Sequence, residues 1–554
     1  MLNFIIGRNN SGKTEKIRAL IAERASENKK CILIVPEQFS FESERSILEK
    51  IGAQKMLNVD ILSFTRLAFV INEQYGKALN KTIDDGTRKV LMSLSLEALS
   101  GKLEYFKRFS SKPALLSNLL TFVTELKQCA VTPDEIAEIS GKTGNKSLGK
   151  KLSELSLIAA SYDALVSRSF FDDENLLTIA ADMISETDFF DGKAVYFDAF
   201  CGFTKQERNC IKSILPKAEN VFISLCTDRD LSREGVSVFE NVNSEFSYLK
   251  KCAAEQNVGV SYPEILNVKE DGRSPELVYL EKYLCGEEFK PYKEECDNIV
   301  VCAAGNRADE ADFVACEIKK LLRCNPTLRC RNIAVIERTA GTYDKELSES
   351  FKKYGVPMFE DKRRPIGIQP VMVFVKCLLA LCAEGFSTES FMRLLKTGLT
   401  ALSGDEISEL ENYAFLWNID GSKWRRDFTE NPDGLGFDVT EKSQEKLIRL
   451  NDIRKRSVLP VLAFKKDFEE ADGEKKSRLI YEFLIKNGVT ERLREKIEYL
   501  VSSGDTVLCE EQDTVWATLM DMLGKMASAI GETVITAKRY SELFNILLSA
   551  VTLG

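Results

Sequence analysis

A glycine loop close to the first residue constrains the fold more than any other feature of the chain. Gly7-Arg8-Asn9-Asn10-Ser11-Gly12-Lys13-Thr14 fits the pattern G-x-x-x-x-G-K-S/T in full. An apolar run, Leu2–Ile6, leads into it, and a segment of helical character from Thr14 to about Ala25 leaves it. Strand, glycine loop and helix in that order commit the start of the chain to a parallel sheet with crossover helices. Gly7 and Gly12 let the backbone curl so that successive N–H groups converge on phosphate oxygens, and the helix N-terminus adds its positive end. In such a loop Lys13 reaches the β- and γ-phosphates and the Thr14 hydroxyl sits on Mg²⁺. The pattern predicts a site for ATP with Mg²⁺ built by Gly7, Arg8, Asn9, Asn10, Ser11, Gly12, Lys13 and Thr14.

Short apolar runs continue the strand rhythm at Cys31–Val35, Val59–Leu62, Ala194–Phe197 and Val221–Leu225. Between them, roughly Thr65 to Phe190, the chain is rich in Leu, Ala, Lys and Glu at helical spacing, which reads as a helical domain inserted into the first sheet. A second α/β pattern starts at Asn298-Ile299-Val300-Val301-Cys302 and includes a strand at Ile333–Ile336; from about Pro370 the chain is again mostly helical. The expected division is a first α/β domain over 1–70 and 191–295 with an insertion at 71–190. The start of a second α/β domain follows over 296–375, with its own insertion over 376–554. A second sheet with so few strands is incomplete, so the sequence is expected to be a fragment. Two α/β domains with helical insertions and a phosphate loop in the first resemble a UvrD-like, superfamily 1 helicase, with RecA-like parallel sheets.

A motor of that plan needs an Asp for Mg²⁺ and an adjacent Glu for the attacking water at the end of an apolar strand. Here the strand Ala194-Val195-Tyr196-Phe197 ends in Asp198, but Ala199 follows. Alanine accepts no proton, so ATP is expected to bind with Mg²⁺ on Thr14 and Asp198 yet turn over poorly. After Val221–Leu225 the residues are Cys226-Thr227-Asp228-Arg229-Asp230, where an active motor carries Gly-Asp-x-x-Gln. The chain has no histidine, which excludes imidazole bases, Ser-His triads and His-ligated metals. Its 15 cysteines form no C-x-x-C pair and read as reduced thiols of a cytoplasmic protein without signal peptide or membrane span. The net charge of −9 predicts no nonspecific coating of DNA. Lys362-Arg363-Arg364, Lys150-Lys151 and Arg425-Arg426 read as solvated faces, and Asp172-Asp173-Glu174 as an exposed helix start.

Several segments together resemble the AddB subunits of bacterial AddAB helicase–nucleases, of the Firmicutes type. They are Gly7–Thr14, Val35–Phe41, Leu62–Ala68, Phe197–Glu207, Ala304–Arg307 with Glu310, Ile333–Arg338, Leu394–Leu399, and Leu410–Tyr413 with Gly421 and Trp424. The resemblance implies a helicase fold that has lost motor activity and pairs with an AddA-like helicase–nuclease subunit. That complex processes DNA double-strand breaks for recombinational repair, and the helicase-like domains scan single-stranded DNA for the Chi sequence. It also implies a nuclease domain with an iron–sulfur cluster, expected only in a C-terminal part that this sequence lacks. Many members carry Gly where Ala199 stands. The family's Chi-reading pocket maps onto the loops after the second, third and fourth strands, where ligands of open α/β sheets bind. These place Gln38, Ser40, Phe64, Thr65, Arg66, Phe69 and Phe203 as expected contacts to single-stranded DNA. Aromatic faces stack on unpaired bases, and Gln, Ser, Thr and Arg bond base edges. Two other functions fit the loop alone: a working P-loop DNA helicase or translocase, and a small-molecule P-loop kinase.

Overall fold

The computed structural model describes residues 1–76, 83–107, 112–169, 173–228, 238–267, 273–284, 290–360, 364–504 and 506–553. Asp172, Arg229, Asp230, Lys362 and Arg363 of the motifs above lie outside these residues.

The first half is built on a six-stranded parallel sheet. Its strands are β1 (Leu2–Gly7), β2 (Cys31–Ile34), β3 (Val59–Leu62), β4 (Ala194–Phe197), β5 (Asn220–Cys226) and β6 (Glu264–Ile265), in the spatial order β3-β2-β4-β5-β1-β6. The strands are apolar almost throughout because helices cover both faces. Alternate residues feed alternate faces. Ile5, Leu33, Ile61 and Tyr196 pack with Ile17, Ile21 and Ala25 of the helix Lys13–Ser26. Phe4, Ile6, Ile34, Phe197, Val221 and Ile223 pack on the other side. There they meet the helices Phe64–Tyr75, Asp173–Glu186, Lys205–Ile214 and Glu240–Glu255.

The two expected helical insertions share a core. Residues of the helices Asp85–Ala98, Pro113–Gln128 and Lys146–Ser169 share one continuous core with those between Pro370 and Ala550, from Val90, Leu116 and Tyr162 to Phe374, Trp424, Phe468 and Phe544. Periodicity marks each helix as amphipathic but does not say which face meets which, so a shared core is invisible in it. The helix Asp173–Glu186, although inside the block assigned to the insertion, belongs to the sheet through Leu176, Ala180 and Ile184. A short antiparallel pair joins β7 (Arg364–Pro365) to β8 (Thr552–Leu553), so the long helical excursion leaves and returns at one place.

The strands expected at 298–302 and 333–336 are not assigned as strands among the described residues. The helices Arg307–Cys324 and Asp344–Tyr354 do form, and they pack through Ala315, Ile318 and Phe351. Val301 and Ile336 are 93% and 91% exposed. An apolar β pattern becomes a strand only when neighbouring strands take up its backbone groups, and no described segment does so here. No helix among the described residues is long and apolar enough to cross a membrane.

Candidate nucleotide site and nucleic-acid surface

β1 ends at Gly7, and the loop that follows turns through left-handed backbone at Asn10 (φ 59°) and Gly12 (φ 88°). Asparagine and glycine are the residues that adopt this region most readily. A Cβ on Gly7 would stand 2.3 Å from Ser11 Oγ and 2.8 Å from the Leu266 carbonyl, so the first glycine is required by close approach. The helix begins at Lys13 with no side-chain cap, which leaves its first N–H groups directed at the loop. Lys13 Nζ donates to the carbonyls of Gly7 (2.7 Å) and Arg8 (2.8 Å). The Arg8 guanidinium points away from this cradle, donating to Asp228 at 2.6 Å.

Asp198 continues from the end of β4, buried at 5% exposure, and its N–H donates to the Ile34 carbonyl. The Ser224 hydroxyl donates to its carboxylate at 2.5 Å. Sequence reasoning misses Ser224. Its signal is a hydroxyl inside the apolar run of β5, where the register Phe197↔Ile223 puts it beside Asp198. Only β5 separates β4 from β1. Asp198 and the loop therefore lie about 10 Å apart at the sheet's carboxyl edge, given a strand spacing of about 4.8 Å. The residues fit MgATP: backbone N–H groups and Lys13 for phosphates, and the Thr14 hydroxyl and Asp198 carboxylate for the metal through their oxygens.

Ala199 adopts φ 65°, a left-handed conformation that costs an L-residue about 1–2 kcal/mol. Ala199→Gly is therefore expected to raise stability by about 1 kcal/mol in chemical denaturation, with nucleotide affinity unchanged.

The candidate nucleic-acid residues divide into two sets. Gln38, on the short turn Glu37–Phe39 after β2, and Thr65 and Arg66, at the start of the helix Phe64–Tyr75 after β3, are exposed. Ser63 caps that helix by accepting from Arg66 N–H (3.2 Å), which turns Arg66 outward to a 3.2 Å ion pair with Glu44. The remaining expected contacts are less accessible. Phe64 (6% exposed) and Phe203 (7%) are core residues, in a cluster with Phe197 and Phe200 whose ring centroids lie 5.0–6.2 Å apart. Neither ring presents a face to a base. Phe69 is half-buried against the same core, and the Ser40 hydroxyl is buried with no hydrogen-bond partner among the described residues. The aromatic side chains most open to solvent on these loops are Phe39 (37%) and Phe41 (78%). Helical spacing carries this signal: in the helix Ser40–Ile51 the inward positions are Ser40, Ser43 and Ile47, which leaves Phe41 outside.

Other matched segments do structural work. Thr204 and Glu207 form a capping box at the start of Lys205–Ile214. Trp424 is fully buried and donates to the Thr388 hydroxyl, and Tyr413 packs on Phe428 with ring centroids 4.5 Å apart.

A family model described as "ADDB, N-terminal" matches residues 4–281. The chain belongs to the AddB family. Among its relatives is a subunit of the ATP-dependent helicase/deoxyribonuclease of Acetivibrio thermocellus, 29% identical across all of this chain and 49% of that protein. The proteins of the same name from Thermoanaerobacter sp. (29%) and Clostridioides difficile (28%) match to the same extent. The chain thus spans about half the length of the curated relatives it matches.

Proposed function

We propose that this AddB chain is the helicase-like, non-motor part of a subunit that pairs with an AddA-like helicase–nuclease. In this reading the cytoplasmic complex processes DNA double-strand breaks for recombinational repair, and the chain scans the single strand for Chi. The carrying observation is a complete phosphate loop facing an Asp198 that is followed by Ala199, a site able to hold MgATP in which the residue next to Asp198 has no carboxylate to activate water. The fold reading is a UvrD-like arrangement of RecA-like domains. The exposed Val300, Val301, Ile336 and Phe359 support a second sheet whose remaining strands belong to the half of the family's length outside this chain. In this reading the nuclease site and its iron–sulfur cluster lie in that half as well. Gln38, Thr65 and Arg66, with Phe39 and Phe41 as stacking faces, are proposed to meet the single strand on the side of Asp198 away from the phosphate loop.

Two measurements on the purified chain test this. MgATP is expected to bind but to turn over at the same low rate with and without single-stranded DNA; DNA-stimulated hydrolysis would instead make the chain a working motor. In fluorescence anisotropy, single-stranded oligonucleotides are expected to bind more tightly than duplex. Arg66→Ala should weaken that binding and reduce its salt slope by about 0.7 for a lost phosphate contact. No single-strand binding at low salt by a folded chain would count against the scanning surface.

A further inference from the structure

Arg8, the first variable residue of the phosphate loop, holds a distant element. Besides Asp228, its guanidinium donates to the carbonyls of Glu281 (3.4 Å) and Lys282 (3.3 Å), and it lies 5.6 Å from the Phe239 ring centre. Both carbonyls belong to the last turn of the helix Pro275–Leu284, where carbonyls lack partners within the helix and the dipole end is negative. Arg8 therefore caps that helix from the phosphate loop. The same helix carries the segment that leads into the second half of the chain. Glu276 accepts from the Asn298 side chain (2.8 Å) and backbone (3.3 Å), bonds that hold its carboxyl down at about 2. Tyr279 donates to the Pro291 carbonyl (3.2 Å), and its ring centre lies 5.0 Å from that of Tyr292.

At its other end Arg8 is tied to the phosphate chemistry. Its carbonyl accepts from Lys13 Nζ, the group that phosphates would recruit. Lys13 thus has two competing sets of acceptors, the Gly7 and Arg8 carbonyls or the phosphates, and choosing the second frees the Arg8 peptide. We propose that Arg8 is a positioning residue that couples phosphate binding in the loop to the helix Pro275–Leu284 and, through it, to residues 290–298. This rests on the reading of Gly7–Thr14 as a phosphate loop. Coupling of this kind is reciprocal: what nucleotide does to the helix end, the helix end does to nucleotide affinity.

The test is hydrogen exchange followed by mass spectrometry on the full chain with and without MgATP, alongside binding titrations. In the wild type, MgATP is expected to change exchange in 278–284 and at 290–298. In Arg8→Ala the last turn of the helix should exchange faster, the nucleotide-dependent change there should vanish, and affinity should shift about 5-fold or more. Arg8→Lys keeps a charge for Asp228 but cannot span the carboxylate and two carbonyls, so the response at 278–284 should stay absent and the affinity shift should persist. A nucleotide-dependent change that persists in Arg8→Ala would overturn the proposal, because a merely structural Arg8 leaves it intact. MgATP binding to the wild type with no change at 278–284 would overturn it too, leaving the phosphate loop standing. Failure of the folded wild type to bind MgATP would overturn both.

Discussion

Lys13→Ala is expected to raise the dissociation constant for MgATP about 100-fold, the equivalent of roughly 3 kcal/mol lost in charged hydrogen bonds to phosphate. The ammonium already lies at the mouth of the cradle, 2.7 and 2.8 Å from two loop carbonyls, so little reorganisation separates that position from a phosphate oxygen. Folding should be insensitive, because Lys13 is half-buried and the Gly7 and Arg8 carbonyls it leaves can turn to water. The denaturation midpoint should therefore stay close to wild type while calorimetric titration loses its binding signal. Lys13→Arg should fall between the two, since a planar guanidinium does not replace a compact ammonium in a tight backbone cradle. Equal MgATP affinity in wild type and Lys13→Ala would remove the phosphate loop from the functional account.

The legible parts of this chain are those in which short stretches dictate their own geometry. Gly7 and Gly12 announce the loop, and the apolar runs of β1, β2, β4 and β5 announce a sheet covered on both faces. Asp198 stands out because it terminates such a run. What lies hidden depends on residues far apart in sequence. The shared core of the helical segments joins Val90 and Tyr162 to Phe374 and Phe544, and nothing local in either half encodes that meeting. The partner of Asp198 is Ser224, visible only once the register of β4 on β5 is known. The segments at 298–302 and 333–336 show the converse: the β pattern is strong locally, but pairing needs neighbours that the described residues do not supply.

The aromatic residues near the third strand make the second large prediction and separate packing from binding. Phe64→Ala is expected to destabilise the α/β half by about 3–5 kcal/mol, the usual cost of emptying a buried phenylalanine site. Its ring is 6% exposed and meets Phe197, Phe200 and Phe203 at centroid distances of 5.9, 5.5 and 6.2 Å, each such pair adding about 0.5–1.5 kcal/mol beyond area burial. In chemical denaturation the transition that reports the sheet should move to lower denaturant, and amides of β3 and β4 should lose protection. Arg66→Ala, two residues along, should behave in the opposite way. Its side chain is 53% exposed and its ion pair with Glu44 lies at the surface, so stability should shift by less than about 0.5 kcal/mol while single-strand affinity falls. If Phe64→Ala instead leaves stability intact and abolishes single-strand binding, the ring works as a stacking platform and the packing assignment is wrong. The pair of variants therefore decides whether the match at Leu62–Ala68 reflects a DNA contact, a core, or a helix start that uses one face for each: Ser63 to cap, Phe64 inward, Thr65 and Arg66 toward the strand.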